Sequence, residues 1–215
     1  MDLFPSRYIH IGGDEAIKNQ WKASEEIQAL IRKKGLKNEA EMQAWFIKQM
    51  DTFLTNHGRR LIGWDEILEG GLAPGATVMS WRGEQGGIAA ANGGHDVVMA
   101  PTSHTYFDYY QGSPEEEPLA IGGYLPLKKV YQYDPIPKAI TPEKAKHVLG
   151  VQGQLWGEYI STPKHLEYMA YPRAIALAEV GWSPKRLKDY EKFIVRLRHH
   201  LKRLEAMDIN YRQPD

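Results

Sequence analysis

Short apolar runs alternate with helical patterns along this chain, and the alternation limits the folds that the chain can adopt. The runs are four to eight residues long, a length typical of strands. Strands that alternate with helices favour an α/β fold with a parallel sheet and crossover helices. The predicted strands lie at residues 8–11, 61–64, 77–81, 96–99 and 148–155.

Capping residues and glycines mark the predicted helices. Ser24 is a candidate N-cap for a helix that ends at Gly35, and one apolar face is typical of the helix at residues 39–57. A helix opened by Thr162 is expected to kink near Pro172. The other predicted helices lie at residues 84–92, after Thr141-Pro142, and at 185–207.

The stretch at residues 109–140 holds many Pro, Gly and Tyr residues and shows no helical or strand period. It is therefore a predicted long loop, and loops of that length are often functional. No G-x-G-x-x-G pattern follows a predicted strand, so a dinucleotide-binding fold is not supported.

The composition excludes several classes of protein. Lys and Arg together number 27, as do Asp and Glu, so the formal charge is zero and a nucleic-acid partner is not expected. The chain has no cysteine, which removes disulfides and cysteine-bound metals. No run of 18 apolar residues is present, so no membrane span is expected. The first residues lack a signal-peptide pattern, and the localisation stays open.

Aromatic side chains and carboxylates cluster just after the predicted strands. In several places an aromatic residue and a carboxylate stand two positions apart, which puts both on the same side of an extended segment. Aromatic faces stack on sugar rings, and carboxylates accept hydrogen bonds from sugar hydroxyls, so the pattern indicates a carbohydrate site. Its members are Asp14, Glu15, Trp64, Glu66, Trp81, Tyr106, Asp108, Trp156 and Glu158.

Structural roles compete with this interpretation. Each tryptophan could instead be a core residue whose indole N–H is satisfied, and Asp14 could cap the helix that follows it. Several acids compete for a conventional catalytic pair, of which Asp14-Glu15 is the sharpest candidate. Neighbours on a regular strand point to opposite faces, so both carboxylates can face a substrate only if the strand has ended, which Gly12-Gly13 allows.

The ordered set of motifs resembles the β-N-acetylhexosaminidases of glycoside hydrolase family 20. The sequence HIGGDE at residues 10–15 is similar to the H-x-G-G-D-E signature of that family. The resemblance covers nearly the whole chain. Its later motifs are GWDE (63–66), SWRG (80–83), YFDY (106–109), QLWGE (154–158) and PRAIALAEVGW (172–182).

The resemblance implies an incomplete TIM-type (β/α)₈ barrel that forms one partial catalytic domain over residues 1–215. The family signature normally follows the fourth barrel strand, so about the last five β/α units are expected here and the first three strands are not. The strands at residues 8–11 and 148–155 would then be open edges, which predicts a homo-oligomer that covers them or a 109–140 loop that folds over the opening.

The resemblance also implies hydrolysis of terminal β-linked N-acetylhexosamine, in which the substrate's own acetamido oxygen is the nucleophile. It makes Glu15 the general acid and base, Asp14 the acceptor for the acetamido N–H, and Tyr106 the donor to the acetamido oxygen. His10 is expected to support the site rather than to react. The predicted sugar-binding residues are Trp64, Trp81, Asp108, Trp156 and Glu158, while Glu66 and Arg82 receive no role.

Two other hypotheses stay open. The chain could be a sugar-binding or structural remnant that does not turn over. It could also be a metal-dependent hydrolase that uses His10, Asp14 and Glu15, although no second histidine stands at ligand spacing. The leading hypothesis needs no cofactor and no metal, and its partner is an oligosaccharide or glycoconjugate that contains N-acetylhexosamine. The sequence leaves open the gluco or galacto preference and the linkage.

Overall fold

A computed structural model describes residues 3–214 of the chain. Five strands form one sheet in the order β1-β2-β3-β4-β5, and the neighbours from β1 to β4 pair in parallel. The parallel α/β architecture predicted from the sequence is confirmed. The strands are β1 (Tyr8–His10), β2 (Arg60–Trp64), β3 (Thr77–Ser80), β4 (Val97–Met99) and β5 (Val148–Val151).

The central strands are the most buried part of the sheet. All four residues of β3 are buried, and β2 is buried after its first residue. The outer strands β1 and β5 contain no residue that is fully buried. Parallel strands need cover on both faces, so this gradient puts the core of the sheet at β2 and β3.

Nine α-helices follow or separate the strands in the described part of the chain. Three short 3₁₀ segments accompany them at Asp65–Leu68, Ala145–His147 and Lys185–Leu187. The helices are α1 (Asn19–Ala23), α2 (Glu25–Lys33), α3 (Glu39–Asn56), α4 (Gln85–Asn92), α5 (Thr102–Thr105), α6 (Leu127–Gln132), α7 (Pro163–Ala170), α8 (Arg173–Trp182) and α9 (Tyr190–Ala206).

The helix caps predicted at Ser24 and Thr162 are present. The Ser24 hydroxyl accepts from the Ile27 N–H at 3.3 Å, and the Thr162 hydroxyl accepts from the His165 N–H at 3.1 Å. Gly35 follows α2 with a φ of +67°, the left-handed conformation that glycine adopts without steric cost. These side chains and turns satisfy helix ends that would otherwise leave backbone groups unpaired.

Several predicted boundaries are wrong. The segment at residues 109–140 contains helix α6, and the residues after Thr141 form a turn and a 3₁₀ segment rather than a helix. The fifth strand ends at Val151 instead of residue 155. Pro172 separates α7 from α8 where a kink was expected, because proline removes one backbone donor and clashes with the preceding turn.

The described chain divides into two compact units. The first comprises the residues up to Met99 together with Lys138–Leu149, and the second comprises Ala100–Pro137 and the residues from Gly150 onward. The fully buried large side chains of the first unit are Leu61, Ile67, Met99, Val78 and Val97. Those of the second unit are Arg173, Tyr133, Phe193, Leu125, Met169, Leu197 and Gln111. The single domain predicted from the sequence stays a prediction.

Within residues 3–214, no helix is both long enough and apolar enough to cross a membrane.

Candidate active site

The backbone after β1 turns sharply and exposes two adjacent carboxylates. β1 ends at His10, and left-handed backbone follows at Gly12 (φ +73°) and Gly13 (φ +98°). Asp14 and Glu15 come next, and both are exposed. The strand has therefore ended before the two acids, so the alternation of a regular strand does not force them to opposite faces.

Glu15 itself adopts a φ of +48°. Left-handed backbone is uncommon for a residue with a side chain and costs about 1–3 kcal/mol, so it persists where the surroundings enforce it. Such positions concentrate at functional sites.

Three hydrogen bonds hold this turn in place. The carbonyl of Gly12 accepts from the Trp64 N–H at 3.0 Å, at the end of β2. The carbonyl of Gly13 accepts from Nε2 of Gln43 at 2.9 Å, on α3. The Gly12 N–H donates to Nδ1 of His10 at 3.1 Å. The turn before Asp14 is thus fixed from three directions.

His10 supports the turn as a neutral ring. Because Nδ1 accepts the Gly12 N–H, the ring proton lies on Nε2. Partial burial of the ring lowers the pKa of His10, and the nearby Asp14 opposes that shift. The ring meets Trp64 edge to face with centroids 5.0 Å apart. These contacts agree with a supporting role.

Two of the predicted sugar-binding tryptophans lie side by side in the first unit. Trp64 is 8% exposed, Trp81 is half-buried, and their ring centroids are 6.4 Å apart in a T-shaped arrangement. The indole N–H of Trp81 donates to Oε2 of Glu66 at 2.9 Å. Glu66, which the sequence left without a role, therefore fixes the orientation of Trp81.

Asp65 holds the same segment through its backbone N–H groups. Its Oδ2 accepts from the backbone N–H groups of Trp81 and Arg82 at 2.8 and 3.1 Å. Its Oδ1 accepts from Nε of Arg82 at 2.5 Å, and Arg82 also donates to Glu69 at 3.0 Å. Arg82 thus acts through an ion-pair network that holds the Trp81 backbone.

A cavity of about 670 Å³ opens beside Glu15. That volume lies in the range of small-molecule sites. Lys18 and Glu69, whose Nζ and Oε2 atoms are 3.9 Å apart, line it. The other lining residues are Gly13, Ala16, Ile17, Gln43, Glu66, Trp81 and Arg82. The predicted general acid and one predicted sugar-binding tryptophan therefore share one open space.

The second unit holds the remaining predicted residues. Tyr106 and Asp108 are 6% and 3% exposed. Tyr106 forms an isolated parallel bridge with Gln154, and the Phe107 N–H donates to the Gln154 carbonyl at 2.7 Å. Backbone pairing therefore resumes at Gln154, beyond the end of β5, and this pairing sets the position of Tyr106.

Asp108 has the most perturbed carboxyl of the candidate residues. Burial raises the pKa of Asp108 from 3.8 to about 6. A backbone hydrogen bond and the positive charge of Arg173 oppose this shift, and the negative charge of Glu158 adds to it. Oδ1 of Asp108 is buried and has no hydrogen-bond partner within residues 3–214. A carboxylate in this state is suited to accept hydrogen bonds from a ligand.

Trp156 and Glu158 lie on an exposed loop of the second unit. Trp156, the third residue of the QLWGE motif, is 41% exposed. Tryptophan side chains of this kind combine an apolar ring with a polar N–H. The core role considered for each tryptophan does not hold for Trp156.

No group of three His, Asp or Glu side chains in the described chain is placed to hold a metal ion. His10, Asp14 and Glu15 therefore do not form such a group.

Sequence reasoning missed three residues that contact segments carrying the candidate side chains, namely Gln43, Asp65 and Arg173. Each is buried and polar. The available signal was weak: Arg173 opens a largely apolar helical segment, and Asp65 stands directly after an apolar strand.

Comparison with known proteins identifies the family. Residues 1–185 match the model of glycosyl hydrolase family 20, catalytic domain. A β-hexosaminidase of Porphyromonas gingivalis is 55% identical over 213 residues, which are 99% of this chain and 27% of that protein. A β-hexosaminidase of Vibrio furnissii is 36% identical over 188 residues, which are 85% of this chain and 30% of that protein.

Solved structures agree with this assignment. A family 20 exo-β-N-acetylglucosaminidase from Vibrio harveyi, in complex with N-acetylglucosamine, superposes with a TM-score of 0.89 at 35% identity. The match covers 99% of this chain and 34% of that one. The predicted incomplete TIM-type barrel is confirmed. The chain belongs to glycosyl hydrolase family 20 and carries part of the catalytic barrel of that family.

Proposed function

We propose that this chain acts in the hydrolysis of terminal β-linked N-acetylhexosamine from an oligosaccharide or glycoconjugate. The observation that carries the proposal is the glycine turn after β1, which presents Asp14 and Glu15 together in a chain of this family. The chain spans only 27% and 30% of the two relatives described above, so the activity is inferred from the site and not from the relatives' names.

In the first step the acetamido oxygen of the substrate attacks the anomeric carbon, and the glycosidic C–O bond breaks. Glu15 gives its proton to the leaving oxygen. Asp14 accepts from the acetamido N–H and stabilises the positive charge that develops on the oxazolinium ring. Two carboxylates at adjacent positions thus serve two different atoms of one substrate.

In the second step a water molecule attacks the anomeric carbon from the face that the leaving group vacated. The Glu15 carboxylate takes a proton from that water, and the C–O bond of the oxazolinium ring breaks. Two inversions leave the β configuration of the sugar unchanged. Trp64 and Trp81 supply apolar surface for the sugar ring. His10 packs against Trp64, and Glu66 accepts a hydrogen bond from Trp81.

The second unit supplies the remaining roles by motif position. Tyr106 donates to the acetamido oxygen, Asp108 and Glu158 accept from sugar hydroxyls, and Trp156 stacks on the ring. The buried, unpartnered Oδ1 of Asp108 and the exposed indole of Trp156 support these assignments.

The acetamido nucleophile gives a direct test. The purified protein is expected to release the aryl group from an aryl β-N-acetylglucosaminide and not from the matching β-glucoside, which lacks the nucleophile. Equal rates on both substrates would exclude substrate assistance.

The alternative is a sugar-binding or structural remnant without turnover, which the part-length match to its relatives keeps open. A thiazoline analogue of the oxazolinium intermediate separates the two. Tight binding of the analogue together with turnover supports the enzyme. Binding of sugar without turnover supports the remnant. If calorimetry shows that neither the analogue nor the sugar binds, both hypotheses are rejected.

A further inference from the structure

Arg173, the first residue of α8, is fully buried at 0% exposure. A buried guanidinium is costly unless its charge and its N–H groups are satisfied. Burial lowers the pKa of Arg173 to about 9, against the raising effect of Asp108 and Glu117, so the side chain is still charged at neutral pH. A charge kept in such a place needs a reason.

The guanidinium of Arg173 binds four backbone carbonyls. Nη1 donates to the carbonyls of Tyr109 at 2.9 Å and Leu125 at 3.0 Å. Nη2 donates to those of Phe107 at 2.5 Å and Met169 at 2.7 Å. Two of these four, Phe107 and Tyr109, are the residues on either side of Asp108. One planar group therefore fixes the backbone both before and after Asp108.

The same arginine acts on the carboxyl of Asp108 through its charge. The positive charge lowers the pKa of Asp108, which burial holds at about 6. The guanidinium carbon also lies 5.3 Å from the centre of the Phe107 ring. The geometry and the charge therefore both converge on the segment Phe107–Tyr109.

We propose that Arg173 is a positioning residue that holds Asp108 in the orientation in which its free Oδ1 accepts a sugar hydroxyl. The inference rests on the proposed function, in which Asp108 binds the substrate. It assigns to Arg173 two separable contributions: a forked set of donors that orients the backbone, and a charge that keeps Asp108 ionised.

Two substitutions separate these contributions. Arg173→Lys keeps the charge but loses the planar fork, since an ammonium cannot reach carbonyls on two sides in one plane. Arg173→Met loses both. Leu177→Ala is the matched control, because Leu177 is buried one turn further along α8 and destabilises the same helix without removing the guanidinium.

The experiment measures the titration of Asp108 by NMR of carboxyl-labelled aspartate, assigned with Asp108→Asn, and the affinity for N-acetylglucosamine by calorimetry. Arg173→Lys is expected to leave the pKa of Asp108 close to wild type and to weaken sugar binding about 10-fold or more. Arg173→Met is expected to raise that pKa further and to weaken binding at least as much. Leu177→Ala is expected to lower the melting temperature and to leave both readouts unchanged.

Several results would overturn the inference. If the arginine variants lose stability like Leu177→Ala while the titration and the affinity stay as in wild type, Arg173 is only a structural residue. If neither variant folds, Arg173 is a general requirement of the second unit and not a positioning residue. If the wild-type protein fails to bind N-acetylglucosamine, the proposed function fails, whereas an unshifted Asp108 titration in Arg173→Met counts against the inference alone.

Discussion

The side chain of Gln43 donates a hydrogen bond to the carbonyl oxygen of Gly13 across 2.9 Å. This bond joins α3 to the turn that precedes Asp14. Gln43 is 6% exposed, and its Oε1 is buried without a partner in the described chain. Because the bond spans only 2.9 Å, it fixes the distance between the turn and α3.

Gln43→Met is therefore expected to loosen the turn. The substitution keeps the side-chain length and leaves the Gly13 carbonyl unsatisfied, which costs about 1–3 kcal/mol of unfolding free energy. Turnover is expected to fall about 10- to 100-fold because the catalytic carboxylates lose their fixed position. Urea unfolding and the aryl substrate measure both effects.

Gln28→Met is the matched control for this change. Gln28 donates to the Trp21 carbonyl at 3.0 Å and to Glu39 at 2.9 Å, away from the turn. The Gln28→Met variant should lose stability without losing activity. Equal loss of activity in the two variants would mean that Gln43 has no special effect on the turn.

Gly13 and Gly58 provide a second matched pair. Both have positive φ, but a Cβ on Gly13 would lie 2.7 Å from Cγ2 of Ile67, whereas a Cβ on Gly58 would have no heavy atom within 4 Å. Gly58→Ala is expected to cost about 1–2 kcal/mol for the backbone alone. Gly13→Ala is expected to cost about 1–3 kcal/mol more because of the overlap with Ile67. Similar unfolding free energies would show that Ile67 moves aside freely.

The proposed roles of the two carboxylates predict different substrate dependence. Glu15→Gln is expected to slow poor leaving groups about 10²- to 10⁴-fold and activated aryl groups much less, because general acid help matters most for poor leaving groups. Asp14→Asn is expected to slow all substrates, since it acts on the charge of the oxazolinium ring. Glu26→Gln, on an exposed turn of α2, is the control. Full activity in Glu15→Gln would refute the assignment.

The sheet order gives a prediction about assembly. β1 and β5 stand at the two ends of the sheet, and Leu149 on β5 is 48% exposed. Open strands with apolar side chains pair readily with other strands. A homo-oligomer with an interface near residues 8–11 or 148–155 is therefore expected. The Leu149→Lys variant should form a smaller assembly, so light scattering should give a lower mass than for wild type.

The control for this change is Leu166→Lys, at a leucine of α7 that is 43% exposed and outside the strands. It should leave the mass unchanged. A stable wild-type monomer at low concentration would reject the oligomer and favour cover by the segment at residues 109–140.

The sequence predicted the turn after β1 because two glycines after a short apolar run are typical of a strand that ends in a turn. It could not predict the left-handed backbone of Glu15, which depends on bonds from β2 and α3 to the preceding glycines. Local patterns therefore located the turn, whereas tertiary contacts determine its exact conformation.

Helix α6 was missed for a related reason. Its six residues are too few to show a helical period. Leu127, Val130 and Tyr131 bury its inner face, and the Tyr131 hydroxyl donates to Glu179 on α8 at 2.8 Å. Its stability comes from packing on α8, which no local pattern contains.

The positioning residues were missed because charge in a sequence usually indicates exposure. Asp65 and Arg173 are 3% and 0% exposed. Both bind backbone groups, and Asp65 also pairs with the side chain of Arg82. Their partners are separated from them by 16 and 64 residues. Only the fold reveals that these charges are buried and paired with backbone.

The raised pKa of Asp108 predicts opposite effects of pH on binding and on stability. The pKa rises from 3.8 to about 6 in the folded protein because the carboxyl is buried. Its contribution to stability is therefore fully present below pH 3.8 and is lost as the pH rises through about 6, since the folded state holds the proton more tightly. Affinity for N-acetylglucosamine should rise as the pH rises through about 6, because the ionised carboxylate is the stronger acceptor.

Calorimetric titrations with N-acetylglucosamine between pH 4 and pH 8 check the binding effect, and urea unfolding over the same range checks the stability effect. Asp108→Asn is the control, because an amide does not titrate and should remove the step near pH 6 from both profiles.

An affinity step that survives in Asp108→Asn belongs to another group. His10 is then the next candidate, since its partly buried ring also has a shifted pKa, although lowered, and Asp14 lies close enough to oppose that shift. A binding profile that is flat in wild type would show that the hydroxyl bond does not depend on the charge of Asp108.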